Sequence, residues 1–452
     1  MRADRAVART RDSLLWMRCR CIPAAFFACA LGLVACSGGG SSTPSANGTP
    51  TPPANGSPTP VPSGSHAASP SPQPSHSASP TPSPVATPPN FALASHVLVV
   101  ANANITDSIQ LASEYMNARK IPASNLLKLT GLSSSITSFQ INVANLQTQI
   151  FNPIAAEIKS LAAAGTRIDF VVMMYGTPYW ISDSGQALDG YSVDGVITQA
   201  LVAFPTAGEN LSNPYYGATA PFTSAAYGIV LVNRLDGRSV ADVQGLIANS
   251  LASDGKRPDT EFFFDLDPDR TGAYEIFNEY MQTAATDLTT AGWNAVVDDT
   301  TAFLAPPTPL AGYSSWGSND YHFSQTAYNA LRFTPGGIAE TAVSTSASNI
   351  RTPGGGQSQI ADLIHQGVTG VHGDVTEPYL NAIPDPFVLF PQYTAGRTLA
   401  ESFWGALEEI EWKEIVIGDP ICSPYQAPGV APSDTGRHTF AVPAAHGPRT
   451  PI

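Results

Sequence analysis

The segment Leu33-Val34-Ala35-Cys36 constrains this chain most, because it divides the sequence into a part that is removed and a part that can fold. An Arg-rich start leads into an apolar run from Ile22 to Ala35. That run is too short to span a bilayer as a helix and has the length of a signal-peptide core. Small residues before a cysteine form a lipobox. The sequence therefore predicts a lipoprotein signal peptide over residues 1–35 and lipidation of Cys36.

A lipid on Cys36 would attach the protein to a membrane surface without spanning the bilayer. The following residue is Ser37 rather than Asp, a pattern typical of lipoproteins sent to the outer membrane in cells with two membranes. We therefore expect an extracytoplasmic location in a bacterial cell envelope, periplasmic or at the cell surface, with the membrane as a partner through the lipid anchor.

The segment after Cys36 contains no Asp, Glu, Lys or Arg between Ser37 and Asn90, and Pro, Ser, Thr, Gly and Ala dominate it. Such a composition cannot bury enough apolar surface to offset the entropy lost on ordering. We predict that residues 36–90 are the lipidated cysteine and a disordered stalk. A stalk that binds the cell wall or carries sugars is the alternative.

Charge and cysteine content limit what the rest of the chain can do. The formal net charge is -14, and removing residues 1–36, with six Arg and two Asp, makes the remainder more negative. A strongly acidic domain is a poor partner for nucleic acid, so we expect none. Cys422 is the only cysteine beyond Cys36, which excludes an intramolecular disulfide in the folded part. About 360 residues remain, enough for a large core.

The remaining chain reads as one globular domain over 91–430 and a flexible C-terminal tail over 431–452. Short apolar runs of buried-strand length alternate with amphipathic helical patterns. The predicted strands are His96–Asn102, Leu126–Leu129, Ile168–Gly176, Gly228–Val232, Glu261–Phe264, Asn294–Val297, Gly367–Val371 and Glu414–Ile417. The later predicted helices are Val240–Ser253, Gly272–Thr289, Gln357–His365 and Tyr393–Glu408.

This alternation predicts an α/β fold with a mostly parallel sheet flanked by helices. Ligands of such sheets bind beyond the carboxyl ends of the strands. The polar segments expected at those ends are Asn102-Ala103-Asn104, Tyr175-Gly176-Thr177-Pro178, Asn233-Arg234-Leu235-Asp236, Asp265–Asp269 and His372-Gly373-Asp374.

Several motifs, in order from about 95 to 425, resemble an uncharacterised family of exported bacterial proteins. The resemblance gives no biochemical activity. Its motifs are Val97–Asn104, Asp107-Ser108, Arg119-Lys120-Ile121-Pro122, Tyr175-Gly176-Thr177-Pro178, Ser192-Val193-Asp194, Asn213-Pro214-Tyr215, Asn233-Arg234-Leu235-Asp236-Gly237, Tyr313-Ser314-Ser315-Trp316-Gly317-Ser318, Glu377-Pro378-Tyr379 and Gly418-Asp419-Pro420.

More distantly, the layout is similar to the caspase-like fold of gingipain-type cysteine peptidases, through its opening strand and helix and its closing Gly-Asp-Pro. The resemblance implies a catalytic His in a Tyr-x-Gly-His-Gly-Ser stretch, where this chain has Trp316. It implies a catalytic Cys near Ala342–Ser346, where this chain has none. Indole is no general base, and a Ser without a base is a poor nucleophile. The peptidase dyad is therefore expected to be absent at these positions.

A second arrangement would use His372, after one predicted strand, and Cys422, after the next. These two are the weak candidates for a catalytic pair. The alternative is that Cys422 is an ordinary buried thiol beside a Gly-Asp-Pro turn and His372 a polar residue at a strand end.

Alternating carboxylates at Asp265, Asp267 and Asp269 resemble the start of a calcium loop. Arg270 occupies the glycine position of an EF-hand and Ile276 its twelfth position, so the segment is not an EF-hand. These three residues are the candidate metal ligands. We expect no cofactor, with calcium as the possible exception. A solvated acidic turn is the alternative.

The candidate ligand-binding residues are polar or aromatic groups at predicted strand and turn ends: Asp194, Arg234, Asp236, Trp316 and Glu377. Arg234 and Asp236 would bind a ligand or pair with each other. We predict a caspase-like domain without peptidase activity that binds a peptide, a glycan or an envelope protein. The alternatives are a hydrolase using His372 and Cys422 or a carboxylate set, and a structural scaffold of the envelope.

Overall fold

The computed structural model describes residues 91–426, apart from Glu209, Pro353 and Gly355. The predicted signal peptide over 1–35, Cys36, the predicted stalk to residue 90 and the predicted tail over 431–452 lie outside the described residues. No helix of the described part is long and apolar enough to cross a bilayer.

The described chain alternates strands and helices, as the sequence predicts. The strands are β1 Val97–Asn102, β2 Leu126–Leu129, β3 Gln140–Ile141, β4 Phe170–Met174, β5 Trp180–Ile181, β6 Leu211–Ser212, β7 Leu231–Leu235, β8 Phe262–Asp265, β9 Ala295–Asp298, β10 Leu310–Ser315, β11 Phe333–Thr341, β12 Gly370–Asp374, β13 Glu409–Ile410 and β14 Glu414–Ile417. The helices are α1 Thr106–Arg119, α2 Val143–Asn145, α3 Asn152–Ala163, α4 Val193–Ile197, α5 Ser224–Tyr227, α6 Val240–Ser253, α7 Glu275–Thr290, α8 Gln325–Ala330, α9 Ile360–His365, α10 Pro386–Thr394 and α11 Leu399–Ala406.

Ten strands form one mostly parallel sheet in the order β2-β1-β4-β7-β14-β12-β11-β10-β8-β9, which confirms the predicted α/β class. Pairing is parallel within β2-β1-β4-β7 and within β12-β11-β10-β8-β9. Between these blocks, β14 is antiparallel to β12 and joins β7 at the pair Ile417–Arg234. Two small sheets, β3 with β5 and β6 with β13, lie outside this main sheet.

Helices cover both faces of the sheet, so its inner strands are buried on both sides. All six residues of β1 are buried. Helices α6 and α9 pack together on one face, and Ile360 of α9 lies against Gly373 of β12. On the other face α7, α10 and α11 pack together, and Leu399 of α11 lies against Gly370 of β12. Side chains of the inner strands therefore lie under helices rather than in solvent.

Several element boundaries differ from the sequence prediction. The strands predicted at Gly228–Val232 and Gly367–Val371 lie about three residues later, as β7 and β12. One helix was predicted over Tyr393–Glu408, but the chain forms α10 and α11 instead. Gly396 turns the backbone there at a φ of 97°, and Thr398 with Glu401 forms a capping box that starts a new helix.

Two central strands, β10 and β11, were missed because their sequences are rich in small residues. Close packing against neighbouring strands requires the glycines among these small residues. A Cβ on Gly312 would lie 2.3 Å from the Phe262 ring, and a Cβ on Gly337 would lie 2.5 Å from the carbonyl oxygen of Leu310. Glycine is the residue that permits such an approach.

Candidate functional site

The carboxyl ends of the two strand blocks meet at one edge of the sheet, which we call the carboxyl edge. Arg351, in the loop after β11, binds Asp236, which follows β7. Asn233 to Leu235 and His372 to Asp374 were predicted to follow strands, but they lie inside β7 and β12. Their side chains are buried in the sheet, because the strands run three residues further than their apolar segments indicate.

A buried ion-pair network, made of Asp194, Arg234, Asp236 and Arg351, lies at the carboxyl edge. Arg234 contacts both carboxylate oxygens of Asp194, with Nε 3.0 Å from Oδ2 and Nη2 2.5 Å from Oδ1. Its Nη1 lies 3.3 Å from Asp236 Oδ2. Arg351 Nη2 donates to the same oxygen of Asp236 over 2.6 Å. Two carboxylates thus hold two arginines in the protein interior.

The arginines of this network also bind the chain after β4. Arg234 donates to Thr177 Oγ1 over 2.9 Å and to the Pro178 carbonyl over 2.9 Å, and Arg351 donates to the Thr177 carbonyl over 2.6 Å. Each nitrogen of the Arg234 guanidinium therefore has an acceptor within the protein. Arg234, Asp194 and Asp236 therefore connect loops of the fold to each other. Ligand binding by these residues stays a prediction.

The motifs that resemble the exported family contact one another within the folded domain. A second buried network links Arg119 to Asp254 and Asp419, and Tyr115 donates to Asp419 over 2.7 Å. The end of α1 is thereby attached to the Gly418-Asp419-Pro420 turn after β14. Asn213 Nδ2 donates to the carbonyls of Trp404 and Leu407. These motif residues are explained by contacts within the fold.

A row of titratable side chains crosses β11 and β12. His372 Nδ1 lies 3.2 Å from Glu340 Oε1, and His372 Nε2 lies 3.9 Å from Asp374 Oδ2. All three side chains are fully buried. Burial lowers the pKa of His372 to about 3 and raises the pKa values of Glu340 and Asp374 well above their ordinary range. Burial therefore favours the uncharged form of each group in the row, because all three lie in the same dry environment.

Cys422 has different neighbours from those of His372. Its Sγ lies 3.6 Å from Ser253 Oγ and 3.8 Å from the Ser250 carbonyl, both in α6. Burial raises the pKa of the Cys422 thiol, which disfavours the nucleophilic thiolate. The side-chain neighbours of His372 are Glu340 and Asp374 instead. In the described part of the chain the two candidates therefore make no contact with each other.

Strands β10 and β11 are neighbours, so the two segments that resemble peptidase sites do lie side by side. Trp316 is fully buried, and its indole nitrogen donates to Asn278 over 2.7 Å. Opposite it, Gln357 Oε1 accepts hydrogen bonds from Thr345 Oγ1 over 2.6 Å and Ser344 Oγ over 3.2 Å. Asn319 Oδ1 accepts from Gln357 over 3.2 Å. Hydrogen bonds between side-chain amides and hydroxyls therefore link the two segments.

The three predicted metal ligands face different partners. Asp265 is buried, and burial raises its pKa to about 8. Asp267 accepts from the backbone amides of Asp269 and Tyr321. Asp269 is exposed and pairs with His322 over 2.8 Å. Among the described residues no group of three or more acidic, histidine or cysteine side chains is arranged to hold a metal ion. Calcium binding stays a prediction.

An exposed aromatic ring lies beside these carboxylates, at the ends of β8 and β10. Tyr321 is 65% exposed, and the guanidinium carbon of Arg270 lies 4.3 Å from the centre of its ring. The same guanidinium lies 5.0 Å from the ring of the buried Trp316. Arg270 thus supports Tyr321 from below and fixes its position. We call Tyr321, Arg270, Asp269 and His322 the Tyr321 platform.

Sequence reasoning did not single out Arg351, Glu340, Tyr321 or Gln357. The local signal for Tyr321 was an aromatic residue within the polar run 318–322, just after the Trp316 motif. Glu377, which it did single out, is exposed and accepts a hydrogen bond at its backbone carbonyl from Lys413. Of the predicted ligand-binding residues, the structure brings together only Asp194, Arg234 and Asp236.

Comparisons with known proteins add little. No protein-family model matches the chain, and no curated protein matches it. A solved structure described as "Structure of Protease" is similar over 73% of this chain and 78% of that chain, with 11% sequence identity and a TM-score of 0.40. A likeness at this level carries no argument about what this chain does.

Proposed function

We propose that this chain is a lipid-anchored envelope protein whose α/β domain binds a glycan at the Tyr321 platform and does not act as a cysteine peptidase. The observation that carries the proposal is the exposed ring of Tyr321, held on Arg270 and flanked by Asp269 and His322. An aromatic face offers apolar area to the C–H groups of a sugar ring, and neighbouring carboxylate and imidazole groups bind its hydroxyls.

The amides and hydroxyls beside the platform suit the same ligand. Asn319 is two residues from Tyr321 and is bonded to Gln357, which in turn binds Ser344 and Thr345. These groups are uncharged and offer both donors and acceptors, as sugar hydroxyls require. A few convergent polar groups next to an apolar surface are typical of a ligand site.

The separation of His372 from Cys422 supports a role without cysteine peptidase chemistry. A nucleophilic thiol needs a base within hydrogen-bond reach or a lowered pKa. Within the described residues Cys422 contacts Ser250 and Ser253, and its thiol pKa is raised. At the other peptidase-like position, Trp316 is turned into the core.

A second candidate function is hydrolysis of the bound glycan. Burial raises the pKa of Asp320 to about 6, and Asp320 is adjacent to Tyr321 in sequence. A carboxyl that keeps its proton near neutral pH is what a glycosidase uses as its acid. This alternative shares the platform and differs in whether the ligand leaves intact.

Replacing Tyr321 with Ala is expected to weaken glycan binding about fivefold or more, because the loss of a central aromatic contact costs over ~1 kcal/mol. Tyr321→Phe keeps the ring and should retain most of the affinity. The measurement is calorimetric titration of the purified protein with soluble oligosaccharides released from bacterial envelopes.

Val202→Ala provides the control, since Val202 is a 73% exposed apolar residue of another segment. Equal binding by the wild type and Tyr321→Ala would contradict the proposed site. Binding of peptides and not of oligosaccharides would replace the glycan with a peptide ligand.

The proposed anchor predicts that Cys36→Ser moves the protein from the membrane fraction to the soluble fraction of the cell. The reason is that a lipid on Cys36 is the attachment, and the described domain has no helix suited to span a bilayer. Fractionation followed by immunoblotting measures the distribution. Ser37→Ala, next to the lipidation site, is the matched control. Retention of Cys36→Ser in the membrane fraction would contradict the anchor.

A further inference from the structure

A polar cavity of about 320 Å³ lies between the start of α6, the end of α8 and the end of α9, outside the Tyr321 platform. Its lining contains two arginines and a histidine, although the chain carries a net charge of -14. The lining residues are Arg238, Asn329, Arg332, Asp362, His365 and Gln366. A cavity of this size holds a small molecule of roughly monosaccharide dimensions.

The positive charge in this cavity is only partly compensated. Arg238 forms an ion pair with Asp362, and His365 Nδ1 lies 3.0 Å from Asp242 Oδ1. Arg332 donates through Nη1 to the carbonyls of Asn329 and Leu331. Both acceptors are neutral backbone carbonyls, which do not compensate the charge of the guanidinium. One guanidinium therefore keeps its charge available for an anion.

Two buried atoms among the lining residues lack hydrogen-bond partners in the described part of the chain. They are the donor Arg238 Nε and the acceptor Gln366 Oε1. A buried polar atom without a partner costs about 1–3 kcal/mol, so each favours a ligand that supplies the missing bond. Arg238 Nε needs an acceptor such as an anionic oxygen, and Gln366 Oε1 needs a donor such as a hydroxyl.

We propose that this cavity binds a small hydroxylated anion, such as a sugar phosphate or a sugar acid, with its anionic group on Arg332 and Arg238 and a hydroxyl on Gln366. Guanidinium groups bind phosphate and carboxylate oxygens in pairs of hydrogen bonds. The site is separate from the Tyr321 platform and does not depend on the proposed glycan function.

The test is calorimetric titration of the purified protein with glucose 6-phosphate, glucuronate, inorganic phosphate and glucose. The two hydroxylated anions should bind saturably, with inorganic phosphate weaker and glucose not binding. Arg332→Gln should weaken anion binding about tenfold or more, since a charged hydrogen bond is lost. Arg332 is exposed, so this change should leave the thermal unfolding temperature close to that of the wild type.

Gln366→Leu tests the hydroxyl contact independently of the anion contact. It should weaken glucose 6-phosphate binding and leave inorganic phosphate binding unchanged. Lys128→Gln removes an exposed cation on β2, outside the cavity, and should have no effect. Lack of saturable anion binding by the wild type, or an equal loss of affinity in Lys128→Gln and Arg332→Gln, would overturn the proposal. An unchanged affinity in Arg332→Gln would overturn it as well.

Discussion

Asp236→Ala is expected to lower the free energy of unfolding by about 3–5 kcal/mol, because removing one partner of a buried ion pair leaves charge without compensation. Asp236 is fully buried and accepts from Arg351 over 2.6 Å and from Arg234 over 3.3 Å. Its loss leaves two buried guanidinium groups facing one remaining carboxylate, Asp194. Urea denaturation followed by circular dichroism measures the change.

Asp299→Ala is the matched control, because Asp299 is exposed, and its effect should stay within about 0.5 kcal/mol. The double variant Asp236→Leu with Arg351→Met should be more stable than Asp236→Ala, since it removes a charge with its partner. A decrease in the free energy of unfolding below about 1 kcal/mol in Asp236→Ala would show that the ion-pair network does not stabilise the fold through these loops.

Asp265→Asn is expected to become steadily more stable than the wild type as the pH rises from about 4 to 8. Burial raises the pKa of Asp265 to about 8, whereas an unfolded Asp titrates near its ordinary value of about 3.9. The folded state keeps its proton where the unfolded state has lost it. Stability from Asp265 is therefore fully present below pH ~4 and is lost as the pH rises through about 8.

The expected size of this effect is up to about 1.4 kcal/mol per pH unit, the linkage slope for one proton. Urea denaturation of both proteins at pH 5, 6, 7 and 8 gives the difference, in which contributions common to both, such as that of His372, cancel. Asp299→Asn should show no such trend. Parallel pH profiles for the wild type and Asp265→Asn would mean that Asp265 ionises normally in the fold.

Local periodicity was sufficient to predict much of the fold. Helix α6 and strand β14 have the predicted bounds, because apolar spacing and boundary residues agree in both: Ser239 caps α6 through the Asp242 amide. It was insufficient for β10 and β11, whose Gly, Ser and Pro residues read as loops. The glycines in those strands leave space for large side chains of neighbouring elements. This need for space arises from tertiary packing, so the local sequence does not reveal it.

Polar residues within buried strands limited the prediction of the site. Arg234 and His372 interrupt the apolar runs of β7 and β12, so both strands were expected to end before them. Their stability inside the sheet depends on partners far along the chain: Asp194 for Arg234 and Glu340 for His372. No local pattern identifies such a partner. Tyr321 was missed for a related reason, since its exposure and its contact with Arg270 depend on how two loops meet.

Native mass spectrometry of the purified protein with a mixture of envelope oligosaccharides and peptides tests the central claim most directly, because one spectrum reports both binding and cleavage. The account predicts a complex with an intact oligosaccharide that is lost in Tyr321→Ala, and no new peptide fragments. Hydrolysed oligosaccharides would favour the glycosidase alternative. Specific peptide cleavage that disappears in Cys422→Ala would contradict the account and identify a working cysteine peptidase.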